Sequence, residues 1–194
     1  WALRKLGYGE TRPMLPGHQG LTPEQFASVG IRPYLETQDD DCNMIVQAGW
    51  VALLGGVAGT SITNKFSATN GRIGAGTSAT AAAYSQTSLQ GDTGAASTTS
   101  YYKLVSGAPT ISTASSPATL VFTAAFGGSV ANFAWQEFGT DNYTADGVTT
   151  TGLGAAVIFF NRGVSNQGTK ASGQTWTATE TISFGFPSGS GTVS

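Results

Sequence analysis

The sequence predicts an all-β fold, mostly an antiparallel β-sandwich, preceded by an extended N-terminal arm that carries one short helix. Three observations predict it. Stretches in which apolar and polar residues alternate recur from about Met44 onward, the period-two signature of half-buried strands. Turn signals separate them, at Asn70-Gly71, Gly127-Gly128, Asp146-Gly147 and Ser188-Gly189. Apolar spacing of three and four over a helical length is missing, apart from a small Ala-rich patch at 79–84. The expected organisation is an arm over 1–45, a sandwich over 46–187 and a flexible tail over 188–194.

The arm is set apart by charge. Arg4, Lys5, Glu10, Arg12, Glu24, Arg32, Glu36, Asp39, Asp40 and Asp41 make up half of the charged residues of the 194-residue chain. Four of its 7 prolines also fall there, at Pro13, Pro16, Pro23 and Pro33. A short helix is predicted from Thr22 as N-cap, Pro23 at the first helical position, Gln25 completing a capping box and Gly30 as the stop. One or two turns hold no core of their own.

In the sandwich the clearest strand is 175–186, where Trp176, Ala178, Ile182, Phe184 and Phe186 alternate with Thr177, Thr179, Thr181 and Ser183, and Glu180 interrupts the apolar face. A second lies at 119–126, with Leu120, Phe122, Ala124 and Phe126 on one side. Further strands are predicted at 43–54, 60–66, 101–106, 129–138 and 154–162. Charges balance beyond the arm, so the arm carries the whole formal net charge of -2. With 10 Phe, 6 Tyr and 4 Trp, most of them in the β region, the chain can build a core without metal or disulfide.

Composition excludes several function classes. Charged residues are 10% of the chain, against roughly 25% in an ordinary domain, and no dense Lys/Arg cluster offers nucleic acid an electrostatic footprint. One Cys and one His exclude an intramolecular disulfide and a Cys/His zinc site. The longest apolar stretch, 48–58, falls short of the roughly 20 residues of a membrane span. Trp1 at the start and the lack of an apolar h-region predict a processed or trimmed product without a signal peptide.

Few constellations invite chemistry. Asp92-Thr93-Gly94 matches the local tripeptide of aspartic proteases, whose mechanism needs two such carboxylates; a second copy is absent, so a turn is expected. Asp39, Asp40 and Asp41 lack the spaced loop that wraps Ca²⁺ and read as a solvated or partner-facing acidic run. His18 and Cys42 lie in the arm, where nothing rigid would hold them to catalytic tolerance. Trp135 and Tyr143, beside Gln136, Glu137, Asp141 and Asn142, form a candidate glycan platform; the plainer reading puts Phe133 and Trp135 in the core. Asn142-Tyr143-Thr144 fits the N-glycosylation pattern, which has meaning only in a protein secreted by a eukaryote. No catalytic residue, metal or cofactor is predicted.

Three stretches carry a family resemblance. They are Gly71-Arg72-Ile73-Gly74-Ala75-Gly76-Thr77 with Thr87-Ser88-Leu89-Gln90-Gly91; Asn132-Phe133-Ala134-Trp135-Gln136-Glu137-Phe138-Gly139; and Phe160-Asn161-Arg162 with the 168–176 stretch from Gly168 and Lys170 to Trp176. Over roughly 70–185 the chain resembles all-β virion structural proteins of tailed bacteriophages. The resemblance implies a virion location and, as partners, the major capsid protein or other virion subunits and further copies of the chain. It implies no catalytic residues. Combined with the charge segregation, it predicts a capsid decoration or cement subunit held by its arm, with Arg4, Lys5 and Arg12 on acidic patches and Asp39, Asp40 and Asp41 on basic ones. The alternative is a tail or baseplate module that binds host glycan through Trp135 and Tyr143.

Overall fold

The computed structural model describes residues 2–7, 34–39, 43–59, 66–94, 98–112, 118–151, 153 and 157–184, with side chains from Met44 onward. Among the described residues ten strands and one helix follow in order: β1 (Ala2–Gly7), β2 (Tyr34–Asp39), β3 (Asn43–Ile45), α1 (Gln47–Val57), β4 (Arg72–Gly76), β5 (Ser100–Leu104), β6 (Thr110–Ser112), β7 (Ala118–Phe126), β8 (Ala134–Asp141), β9 (Phe159–Thr169) and β10 (Thr175–Phe184). They form two five-stranded sheets, β2-β1-β10-β7-β6 and β3-β9-β8-β4-β5, and every pairing is antiparallel. The all-β sandwich is therefore the fold.

Alternation along each strand decides which side chains meet between the sheets. From β10 these are Trp176, Ala178, Glu180 and Ile182; from β7, Phe122, Ala124 and Phe126; from β4, Ile73 and Ala75. On β8 both Trp135 and Phe138 reach this core, an odd separation that a register shift between Trp135 and Glu137 makes possible. Trp135 is the hub: its ring stands edge-on to Phe126 at 4.7 Å, Trp176 at 5.0 Å and Phe138 at 5.8 Å. A smaller apolar cluster, Val46, Leu89, Tyr102 and Phe159, lies on the outer face of the second sheet. Gly74 and Gly139, opposite one another in the β4–β8 register, leave room for it. A Cβ at Gly74 would lie 2.6 Å from the Tyr102 ring, and one at Gly139 would lie 2.5 Å from Phe159.

The strand expected over 43–54 is corrected: it ends at Ile45, and α1 begins at Gln47. Beyond Ile45 the run Gln-Ala-Gly-Trp-Val-Ala-Leu-Leu loses alternation and is rich in helix formers. Gly49 lets the helix lie directly on the Phe160 carbonyl of β9, where any Cβ would collide, and this contact outweighs the poor helix propensity of its three glycines. The small residues of β4 admit side chains at close range, the Tyr102 ring at Gly74 and the Glu137 side chain at Gly76. Within the segment read as an arm, β1 and β2 are extended and hydrogen-bonded: β1 pairs with β10 and β2. The helix expected over 22–30, most of the 60–66 strand and the 188–194 tail lie outside the described residues.

Candidate functional site

The decisive geometry concerns where the few charges go. Seven charged side chains from Met44 onward are buried: Arg72, Asp92, Glu137, Asp141, Arg162, Lys170 and Glu180. Arg72 on β4 faces Asp141 on β8 across the ladder and pairs with it through two parallel bonds, Nε to Oδ1 at 2.8 Å and Nη2 to Oδ2 at 2.5 Å. Its Nη1 donates to the carbonyls of Ala145 and Val148 at 2.7 and 2.6 Å, and its guanidinium lies over the rings of Tyr102 and Tyr143. One arginine thereby fixes the turn that follows β8.

The second pair fixes the other covering loop. Arg162 Nε on β9 donates to Glu137 Oε2 at 2.7 Å, while Nη1 and Nη2 reach Gln86 Oε1 and the Thr80 carbonyl. Glu137 also accepts from the backbone amides of Gln90 at 2.8 Å, Gly91 at 2.5 Å and Ser78 at 3.3 Å. Asp92 ties the two loops together: Oδ2 accepts from the amides of Thr150 and Thr151 and from the Tyr102 hydroxyl, and Oδ1 from the Gly94 amide. Burial, with Asp141 and Asp92 close by, raises the Tyr102 pKa well above its ordinary value of 10.0. Lys170 Nζ donates to the carbonyls of Gly127 and Val130 and to Asn132 Oδ1 at 2.8 to 2.9 Å, closing the turn before β8; burial lowers its pKa. Glu180, inside the main core, accepts from the Thr140 hydroxyl.

The outside is correspondingly bare. Among residues with described side chains, Lys103 and Asp146 are the only charged ones to reach the surface, and they pair with each other at 30% and 34% exposure. Large exposed apolar side chains concentrate at one corner: Met44, Trp50, Val51, Leu54 and Val57 on and before α1, with Tyr84 beside the helix start, where its carbonyl accepts from the Gln47 amide. A concentration of this kind marks an interaction surface. This corner, set in an almost uncharged exterior, is the candidate functional site.

The residues singled out in the sequence lie as follows. Trp135 as a glycan platform is corrected: the ring is wholly buried, enclosed by three aromatics, and its Nε1 donates to the Ala131 carbonyl at 2.9 Å, so no face is free for a sugar. Tyr143 is half-buried over Arg72, on the opposite face of the sheet from Trp135. Asn142 is buried and accepts from the Ile158 amide. Arg4 and Lys5 fall on β1 and Asp39 ends β2; Arg12, Asp40, Asp41, His18 and Cys42 lie outside the described residues. Among the described residues no cluster of His, Cys, Asp or Glu has the makeup of a metal site, and no helix is long and apolar enough to cross a membrane.

The sequence reading missed the Arg72–Asp141 and Glu137–Arg162 pairs. A signal existed: in a chain so short of charge, each of these four sits within an apolar or glycine-rich strand, where an isolated charge needs a buried partner. No known protein family, curated protein or solved structure matches this chain.

Proposed function

We propose that this chain is a structural subunit of a phage virion, a decoration or cement protein that joins the capsid shell through its charged N-terminal segment and the apolar corner beside it. One observation carries the reading: among the described residues of the sandwich, all charged side chains but Lys103 and Asp146 are buried, and the surface they leave is one of Ser, Thr, Gly and apolar side chains. Isolated domains stay apart through surface charge, and a surface without it favours association. The buried pairs meanwhile hold the covering loops rigid, which suits a building block. The residues behind the resemblance to phage structural proteins, Arg72, Glu137, Arg162, Lys170 and Trp176, are the ones that fasten loops or fill the core. Their role is in the scaffold.

Because β1 occupies the edge of β10, removing residues 1–45 would expose a sheet edge and confuse binding with folding. Charge reversal is the cleaner test. Arg12→Glu together with Asp40→Lys and Asp41→Lys is expected to lower binding to subunit-stripped capsids at least about tenfold, with an unchanged melting curve. Undiminished capsid binding would remove the proposal's basis.

A further inference from the structure

We propose that the turn over 145–148 is a guard on the β5 edge: it occupies outward hydrogen-bonding groups of that strand and keeps the second sheet from being extended by β5 of another copy of this chain. Four strands end the two sheets, β2 and β6 in one and β3 and β5 in the other. β3 and β6 are three residues each, too short to recruit a partner readily, and β2 bears Glu36 and Asp39. β5, with five residues, is the longer edge of the second sheet. Left bare, it would template a further strand.

The hydrogen bonds show how the edge is closed. The Val105 amide donates inward to the Gly71 carbonyl at 2.9 Å, so by the alternation of an antiparallel ladder the backbone groups of Tyr102 and Leu104 face outward. There the Gly147 amide donates to the Tyr102 carbonyl at 2.9 Å, and the Leu104 amide donates to Asp146 Oδ1 at 2.6 Å. These two bonds straddle Lys103 as one residue of a parallel strand would, with a carboxylate oxygen in place of a carbonyl. Gly147 turns the chain there at a φ of 70°. From within, Arg72 holds the carbonyls of Ala145 and Val148; from outside, Lys103 pairs with Asp146. The placement of that pair carries the argument furthest. Among residues with described side chains it holds the only charges at the surface, and they lie on this edge. Charge at an edge, lysine above all, discourages strand addition. The guard needs no capsid, so it and the virion reading can fail separately.

Sedimentation of the full chain over a range of concentrations, with Asp146→Ala beside Asp146→Asn, tests it. The two variants have the same net charge, but asparagine can keep an oxygen on the Leu104 amide. Every molecule of Asp146→Ala bares the same edge, and two such edges can pair antiparallel about a two-fold axis. Asp146→Ala is expected to associate at a concentration at least about tenfold below that of the parent, and Asp146→Asn at one closer to the parent. Amide exchange locates the contact. In dilute Asp146→Ala the Leu104 amide should exchange faster than in the parent while the amides of β8 stay protected, which shows the sandwich folded, and on association the Leu104 amide should become protected again. Association of Asp146→Ala no greater than that of the parent or of Asp146→Asn, or association that leaves the Leu104 amide exchanging freely, would overturn the proposal.

Discussion

Removing the Glu137 carboxylate should be among the most damaging single changes in the sandwich. In Glu137→Ala, Arg162 keeps its bonds to Gln86 and Thr80 but loses its only carboxylate, and the amides of Ser78, Gln90 and Gly91 lose their shared acceptor. Both side chains of the pair are fully buried. Leaving one charge of a buried pair uncompensated costs about 3–5 kcal/mol, out of a total stability of about 5–15 kcal/mol. For a chain of this length that corresponds to a melting temperature lower by roughly 6–20 °C. Urea titration followed by tryptophan fluorescence measures it, the midpoint falling while the slope stays constant. Arg162→Ala should cost a similar amount, and the double variant much less than the sum, since it removes the stranded charge. A Glu137→Ala chain within about 1 kcal/mol of the parent, or strict additivity of the two changes, would refute the assignment of this pair as the fastening of the 77–94 loop.

Three further outcomes are expected. Tyr102, whose pKa is raised by burial and by Asp141 and Asp92, stays protonated in the folded chain after an unfolded tyrosine has ionised. Its contribution is therefore intact below pH 10 and lost as pH climbs beyond it; absorbance titration should show late phenolate formation that Tyr102→Phe removes. Gly74→Ala forces a methyl into the Tyr102 ring and Leu89 and should cost about 1–3 kcal/mol by thermal denaturation, whereas the same change at exposed Gly107, where a Cβ meets nothing, should be nearly neutral. Lys170→Met leaves the carbonyls of Gly127 and Val130 and the Asn132 side chain without their shared donor; faster amide exchange at residues 127–133 is the expected mark, and unchanged exchange would count against Lys170 as the clasp of that turn.

Strands with a regular alternation were legible because period two has one physical reading: in β7 and β10 the inward residues are those the pattern selects. The helix was not, since α1 is apolar on nearly every side and exposes much of that surface; neither alternation nor an amphipathic stripe distinguishes it. Nor was β6, whose three residues are all exposed and carry no pattern. Trp135 misled in the opposite direction: beside Glu137 and Asn142 it looked like a binding platform, and only the register shift after it shows that tryptophan and glutamate point to opposite faces. Charge segregation was visible in the sequence. That most of the described charges of the sandwich lie inside could not be seen without the pairing of β4, β8 and β9, which brings Arg72 to Asp141 and places Glu137 beside Arg162 from strands distant in the chain.

The most direct test of the central claim is an electron micrograph of intact virions carrying a labelled copy of this chain. A regular array of label over the head is the predicted result. Unlabelled particles, or label confined to the tail, would contradict the assignment as a capsid decoration subunit.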